Sequence, residues 1–252
     1  MDLAFESLAW TSSVEAAFAG NRLLASLSQD ERALIAPHLS IVDLEAGAAV
    51  LSVGQPVEQT LFPFDGLIVS FQIELAGIRS VEVASVGMEG AVGGIISCGK
   101  APAFTRATVQ LGGRAAALPM DELERAKASS PHIKNIFCRY SDALLAQVMQ
   151  SVACNAFHPI EARAARWLLH AQDRAGSSRL SLTQESLAGL LGVQRTTISA
   201  VARVLQEQGL IAYRRGAVQV VDRAGLSSAA CGCYAAVEQH FDVVLGENCR
   251  ND

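Results

Sequence analysis

The sequence predicts an α+β chain: an N-terminal antiparallel β-roll or jelly roll with flanking helices, one long helix, and a compact helical module closed by a small hairpin. Three observations predict it. From about Ile41 to Leu111, short β-type runs are broken by Gly47, Gly54, Gly66, Gly77 and Gly87. From Pro131 to about Phe157, apolar residues recur at three- and four-residue steps. In "LTQESLAGLLGVQRTTISAVARVLQEQGL" (182–210), two amphipathic stretches are parted by Gly192-Val193 and four polar residues. With 252 residues, half of them hydrophobic, the chain has material for two cores.

Residues 21–39 read as short helices, and Ser28 followed by Glu31 has the capping-box spacing. The strands come next: "AAVLSVG", "TLFPF", "LIVSFQIEL", "SVEVASVG" and "RATVQL". In "VSFQIEL", Val69, Phe71, Ile73 and Leu75 alternate with Ser70, Gln72 and Glu74, the period of a strand with one buried face. "MDELERAKAS" is a short helix. Along 131–157, a helix of about seven turns, the stripe Ile133, Ile136, Phe137, Tyr140, Leu144, Val148 and Val152 reads as a dimer seam. His158-Pro159 ends that helix, because the residue before proline disfavours the α region. "IEARAARWLLHAQD" is a second helix with Ala164, Trp167, Leu168 and Ala171 on one face, and "AGSSRLS" is a loop by composition. "LIAYRRGAVQVV" reads as two strands around a turn, and the tail "SSAACGCYAAVEQHFDVVLG" as helix.

Net charge is −5, but it is unevenly spread. From Pro159 to Leu226 nine arginines face five acids, a net of +4, which leaves −9 on the remainder. An acidic body carrying an arginine-only basic module fits a polyanion-binding domain. No apolar run approaches the ~20 residues that cross a bilayer. The opening "MDLAFESLAW" lacks the basic start of a secretory signal, so the expected location is the cytoplasm, with no membrane partner. Six scattered cysteines in a chain of this size read as reduced thiols. The sequence has no GxSxG, P-loop, HExxH or dinucleotide fingerprint, and an enzyme is not expected.

The polar break at 192–197 has a physical reason. Thr183 caps a first helix, Leu187, Leu190 and Leu191 give it a buried face, and Ala188 lets a second helix cross closely. Gly192 can take the left-handed conformation that ends a helix, and Ile198, Val201 and Leu205 form the buried stripe of the next. This is a helix-turn-helix, whose second helix enters the major groove by its N-terminus. The residues expected at double-stranded DNA are Thr183, Arg195, Thr196, Thr197, Ser199 and Arg203, with Arg195 suited to a bidentate guanine contact. Arg214 and Arg215 at the hairpin tip would form a wing on backbone phosphate.

With these residues in place, the sequence resembles the CRP/FNR superfamily of bacterial transcription regulators. "LTQESLAGLLGVQRTTIS…LQEQGLIAYRRGAVQVVDRAGL" looks like that family's winged helix-turn-helix. "LLASLSQDERALIAPHL…LEAGAAVLSVGQPVEQTLFPFDG" is similar to the entry of its cyclic-nucleotide-binding-type roll. The likeness covers roughly residues 20–226. It implies a sensor roll over 1–130, a dimerisation helix over 131–157, a DNA-binding domain over 158–226 and a helical, cysteine-containing tail over 227–252. It also implies a homodimer on a two-fold symmetric site and RNA polymerase as a partner.

The resemblance has two departures. Members that read a TGTGA-like half-site begin the recognition helix with Arg-Glu-Thr and place another Arg a turn later. Here Arg195 and Thr197 match, but Thr196 and Ala200 replace the other two, so a different half-site is expected. The family's nucleotide cassette pairs a Gly-Glu for ribose with an Arg-Ser for phosphate. The region here is "GMEGAVGGIISCGKAPAFTRATVQ", in which Gly93 is followed by Gly94 and Arg106 by Ala107, with Glu89 upstream. Glu89, Gly93, Gly94, Arg106 and Ala107 are the effector-pocket candidates, and control by cAMP is disfavoured. An iron–sulfur cluster is disfavoured too, since the first cysteine is Cys98, far from the N-terminus. His38 and His132 give no positive support for haem. In the tail, Cys231, Cys233, His240 and Cys249 are candidates for metal binding or a thiol switch, although one-residue cysteine spacing is atypical of structural zinc. No cofactor is predicted.

Overall fold

The computed structural model describes residues 3–75, 79–95 and 101–246. The elements in chain order are α1 (Leu3–Gly20), α2 (Arg22–Ala25), α3 (Gln29–Ile35), β1 (Ser40–Leu44), β2 (Ala49–Leu51), β3 (Gln59–Phe64), β4 (Ile68–Leu75), β5 (Arg79–Val86), β6 (Arg106–Leu111), β7 (Gly113–Pro119), α4 (Met120–Ser129), α5 (Pro131–Phe157), α6 (Ile160–Ala175), β8 (Arg179–Leu180), α7 (Gln184–Leu191), α8 (Arg195–Glu207), β9 (Ile211–Arg214), β10 (Ala217–Val220), α9 (Arg223–Ala229) and α10 (Cys233–Leu245). The chain divides into two compact units, Met1–Val69 with Val86–Ser141, and Ser70–Ser85 with Asp142–Asp252. The sequence is thus read rightly as α+β with antiparallel sheets.

In the first unit β7 lies between β1 and β3, antiparallel to both. Its run Ala115, Ala116, Ala117 and Leu118 is almost wholly buried, and alanines there leave room for the layers on either face. Alanine disfavours strands only weakly, and packing overrides it. β7 has little β-type signature and is not among the runs read from sequence, whereas β1, with Ile41 and Val42, lies where the β-type region was expected to begin. α1, whose Val14, Ala17 and Phe18 are buried, was not expected from sequence. β2 pairs with β6 in a short antiparallel ladder with one irregularity.

Buried Asn21 joins three segments. Its Oδ1 accepts from the N–H groups of Leu23 and Leu24, capping α2, while Nδ2 donates to the carbonyls of Pro63 (2.9 Å) and Gly90 (2.8 Å). Each such bond contributes about 1 kcal/mol net, and losing the partner of a buried group costs more. The expected capping box at Ser28 and Glu31 is formed. Glu31 also accepts from Ser130 (2.6 Å) and meets His132 Nδ1 (2.9 Å). Burial pushes its carboxyl up, but these hydrogen bonds outweigh that and hold it at about 2.

The helix α5 has the expected bounds, but the stripe assigned to a dimer seam needs correction. Ile133, Ile136, Phe137, Tyr140 and Leu144 are buried within the chain itself. Phe137 packs edge-on against Phe62, with ring centroids 6.1 Å apart, and the Tyr140 hydroxyl donates to the Ala91 carbonyl at 3.4 Å. The large apolar residues that α5 leaves exposed are Val152 (65%) at the end of that stripe, Leu145 (50%) and Met149 (62%) beside it, and Phe157 (84%) at the helix end. A helix has two such faces, and its period alone does not say which one the chain's own core takes.

In the second unit α6 ends at Gly176, which is left-handed at φ +61°. β8, β10 and β9 form a three-stranded antiparallel sheet in that order. β8 falls in the stretch read as loop, since two residues are too short to show a period. The core gathers Trp167, Leu168 and Leu169 of α6 with Leu187, Leu190 and Leu191 of α7 and Ile198, Val201 and Leu205 of α8. Burying each large apolar side chain contributes about 1.5–3 kcal/mol. The tail is two helices, broken at Ala230–Gly232.

Candidate nucleic-acid interface

Thr183 Oγ1 accepts from the Ser186 N–H at 3.0 Å and so caps α7 as expected. Gly192 closes α7 at φ +68°, and its N–H reaches back to the carbonyls of Ala188 and Gly189. Ala188 is buried at the crossing of α7 and α8. Ile198, Val201, Ala202 and Leu205 hold one side of α8 in the core, which turns the opposite side to solvent. Arg195, Thr196 and Arg203 are exposed on it, and Thr197 is half-buried. No side chain caps α8, so the N–H groups of its first turn have no side-chain acceptor of its own. An anion suits that end, both for those donors and for the helix dipole.

The arginines stand in weak pairs. Arg195 Nε is 3.9 Å from Glu185, and Arg203 Nε is 4.0 Å from Glu207, with all four side chains mostly exposed. Contacts of this kind contribute little and are readily exchanged for phosphate or base. Ser199 differs from expectation, because its hydroxyl donates to Gln184 Oε1 at 2.7 Å and lies near the Arg195 carbonyl at 3.1 Å. It ties the two helices together and steadies Gln184 at the start of α7.

The wing is a two-residue hairpin. Arg214 pairs with Ala217, leaving Arg215 (φ +49°) and Gly216 (φ +77°) as the turn. Positive φ at both positions matches a type I′ turn, which favours Asn, Asp or Gly at the first. A charged arginine there bears a conformational cost that a role at the surface would explain. The tip lies beside the start of α7, since a Cβ on Gly216 would sit 3.7 Å from Thr183 Cγ2. The strand Tyr213 is anchored by donating its hydroxyl to the Leu182 carbonyl, and burial pushes that phenol up to about 12. Sequence reasoning missed Arg179 of β8, which lines one concave face of this sheet with Arg214 and Gln219.

The arginine excess was a less direct signal than its sum suggested. Arg166 and Arg174 are buried, and Arg163 Nη2 donates to the Leu191 carbonyl at 2.8 Å. Arg174 donates to Ser85 (2.6 Å), and Trp167 Nε1 donates to Glu82 (2.9 Å). Burial raises the Glu82 carboxyl above its usual value, against the Ser70 hydrogen bond and the charges of Arg174 and Arg166. Burial together with those same two arginines pushes His170 well below its usual value, so it is neutral. Arg223 pairs with Asp173 at 2.7 Å. The exposed cations that remain, Arg179, Arg195, Arg203, Arg214 and Arg215, are those of α8 and the wing sheet.

The effector candidates sit in a filled turn of the first unit. Gly93 (φ +92°) and Gly94 (φ +68°) have no room for side chains: a Cβ would lie 2.5 Å from the Gln59 carbonyl oxygen at Gly93, and 2.7 Å from Thr60 Oγ1 at Gly94. Thr60 donates to the Gly93 carbonyl (3.1 Å), and Lys127 donates to that of Gly94 (3.0 Å). Glu89 accepts the Gly87 N–H with both oxygens. Arg106 is exposed at the start of β6, and Ala107 is buried beside it.

Of the tail candidates, Cys231 and Cys233 are buried beside buried Cys154 and half-buried His158. His240 lies seven residues beyond Cys233 on α10, about 10 Å along the axis, and is outside this group. Cys249 lies outside the described residues. The signal that could have found the partners is Cys154-x-x-x-His158, an i, i+4 pair on one helical face.

Residues 162–229 match the family model of the Crp-like helix-turn-helix domain. Several solved structures are similar. A CRP-family transcriptional regulator from Thermus thermophilus superposes with a TM-score of 0.62 at 20% identity, covering 75% of this chain and 96% of that one. FixK2 from Bradyrhizobium japonicum gives 0.59 at 16% identity, covering 77% and 98%. The c-di-GMP-responsive global regulator CLP of Xanthomonas campestris gives 0.57 at 20% identity, covering 76% and 97%. No curated protein matches the chain in sequence. Among the described residues no helix is long and apolar enough to cross a membrane. Residues 162–229 thus carry a Crp-like helix-turn-helix domain, and the chain shares its fold with these CRP/FNR-type regulators.

Proposed function

We propose that the protein acts as a homodimer on a two-fold symmetric DNA site, reading each half-site with the start of α8, and that cAMP does not control it. One observation carries the reading. α8 buries Ile198, Val201, Ala202 and Leu205 and turns Arg195, Thr196 and Arg203 outward from an end without a side-chain cap. Arg195 contacts guanine, Thr196 and Thr197 contact neighbouring bases or phosphate, and Arg203, Arg214 and Arg215 contact phosphate. Thr183 approaches the backbone beside the wing, and Ser199 positions Gln184. With Thr196 and Ala200 in place of a carboxylate and a cation, the half-site differs from TGTGA. Leu145, Met149 and Val152 make the dimer contact, and the bound dimer meets RNA polymerase at promoters. Against cAMP stand the turn at Gly93-Gly94, which has no space for a ribose carboxylate, and Ala107, which has no hydroxyl for a phosphate.

The test is fluorescence anisotropy of the reduced, full-length protein on duplex from its own upstream region, with and without cAMP. The reading requires competitor-resistant binding that cAMP leaves unchanged. Binding that appears only with cAMP would transfer the effector site to Glu89 and Arg106, and binding no tighter than to scrambled duplex would remove the sequence-reading role of α8.

A further inference from the structure

Where α5 ends and α6 begins, the second unit holds a constellation that DNA reading does not use. Cys154 lies on the last turn of α5 and His158 just past its end, where the His158 N–H still donates helically to the Cys154 carbonyl at 3.0 Å. Cys231 and Cys233 flank Gly232 at the start of α10. All four ligand atoms lie within 4.8 Å of one another. We propose that Cys154, His158, Cys231 and Cys233 form a closed Cys3His site for one structural zinc ion.

Two of the six donor–donor distances are close to those of a tetrahedral site, and the others lie within 4.8 Å, a small contraction from it. Zinc bonds of about 2.3 Å to sulfur and 2.0–2.1 Å to nitrogen put neighbouring donors about 3.5–3.8 Å apart. The Cys154 and Cys231 sulfurs are 3.5 Å apart, and Cys233 Sγ is 3.4 Å from His158 Nδ1. A disulfide would need a sulfur–sulfur bond of about 2.05 Å, and the three cysteines are free. Four protein donors leave no open coordination position, the arrangement of structural rather than catalytic zinc. Three thiolates also select zinc over hard cations such as magnesium or calcium.

The surroundings complement the ion. Gln150 Nε2 donates to Cys233 Sγ at 3.0 Å, an outer partner of the kind that orients a metal ligand. Cys233 is the first residue of α10, at the positive end of the helix dipole. Zinc with three thiolates and a neutral imidazole carries one negative charge. The plainer alternative is three thiols packed as small apolar residues beside Ala162. That alternative gives no reason for an imidazole and a carboxamide to turn towards the same sulfur. The ion would tie the end of α5 to the α9–α10 connection across the break at Pro159.

The experiment uses the full-length reduced protein, chelated and then titrated with zinc(II), and in parallel with cobalt(II). The expected result is one equivalent of zinc per chain, release of about three protons, and a cobalt spectrum with the intense visible bands and sulfur charge-transfer of a tetrahedral thiolate site. Cys138→Ser, at an exposed cysteine outside the cluster, leaves all of this intact. Cys154→Ser and Cys233→Ser abolish the spectrum or shift it to one with fewer thiolates, and Gln150→Ala weakens zinc by roughly 10-fold. Substoichiometric zinc with a weak octahedral cobalt spectrum would overturn the site, as would equal binding by Cys138→Ser and Cys154→Ser. Should the ligand variants fail to fold, the wild-type cobalt spectrum and stoichiometry alone decide.

Discussion

Gly94 in the first unit and Gly192 in the second share one backbone value, φ +68°, and do opposite things with it. At Gly94 the turn is packed shut. Thr60, Met120 and Leu123 would all lie within 3.0 Å of an added Cβ, and the carbonyls of Gly93 and Gly94 are taken by Thr60 and Lys127. At Gly192 the nearest atom to such a Cβ is a Val81 methyl at 3.3 Å, and the polar run that follows faces water. One turn consumes its polar groups internally, while the other presents them. That contrast fits the proposed reading, in which the second unit reads DNA and cAMP does not control it.

The strongest way to break the contrast is to add the same methyl to both turns. The left-handed conformation costs an L-residue about 1–2 kcal/mol at either place, and overpacking a closed site adds about 1–3 kcal/mol more. Gly94→Ala is therefore expected to lose about 2–5 kcal/mol and Gly192→Ala only about 1–2 kcal/mol, read as the shift in each unit's thermal transition. Equal losses would mean that the Gly94 turn relaxes to admit a side chain, and its closure would no longer argue against a ligand there.

The next step tests what the open turn presents. Arg195→Ala is expected to cost about 1–3 kcal/mol on the specific duplex and far less on a scrambled one. A uniform loss on both duplexes would place Arg195 on phosphate and give the base reading to Thr196 and Thr197. Arg214→Ala with Arg215→Ala should weaken both duplexes alike and make the plot of log affinity against log salt shallower by about two. An unchanged slope would detach the wing from DNA.

The same contrast shows what the sequence could reveal. The helix-turn-helix was legible because its constraints are local: a cap at Thr183, a left-handed glycine at 192, and apolar residues one helical period apart. The strands of the roll with β-branched and aromatic residues were legible for a similar reason. β7 was not, because its alanines record a lack of space in three dimensions and not a strand preference. The stripe Ile133 to Leu144 was read as free for a partner because both faces of α5 are apolar and only the tertiary fold shows that it is covered. Cys154 and His158 escaped because their partners come from more than 70 residues away, at Cys231 and Cys233. Local rules show a surface that reads a partner, while sites assembled across the chain show only in the fold.

The smallest effect expected is the most discriminating, because its two readouts should move in opposite directions. Arg215 occupies the first place of the wing turn at φ +49°, where asparagine is preferred and arginine is not. Arg215→Asn is therefore expected to stabilise the second unit by up to about 1 kcal/mol through relief of the turn. The same change removes one cation from the wing, so DNA binding should weaken several-fold and the salt slope should fall by about one. Were stability to rise with binding and slope unchanged, the strain at Arg215 would serve nothing at the DNA, and the phosphate contact would rest on Arg214 alone. Were stability to fall, the side chain would be holding the hairpin by a contact of its own, and the turn geometry would no longer count as a sign that this arginine is kept for its charge.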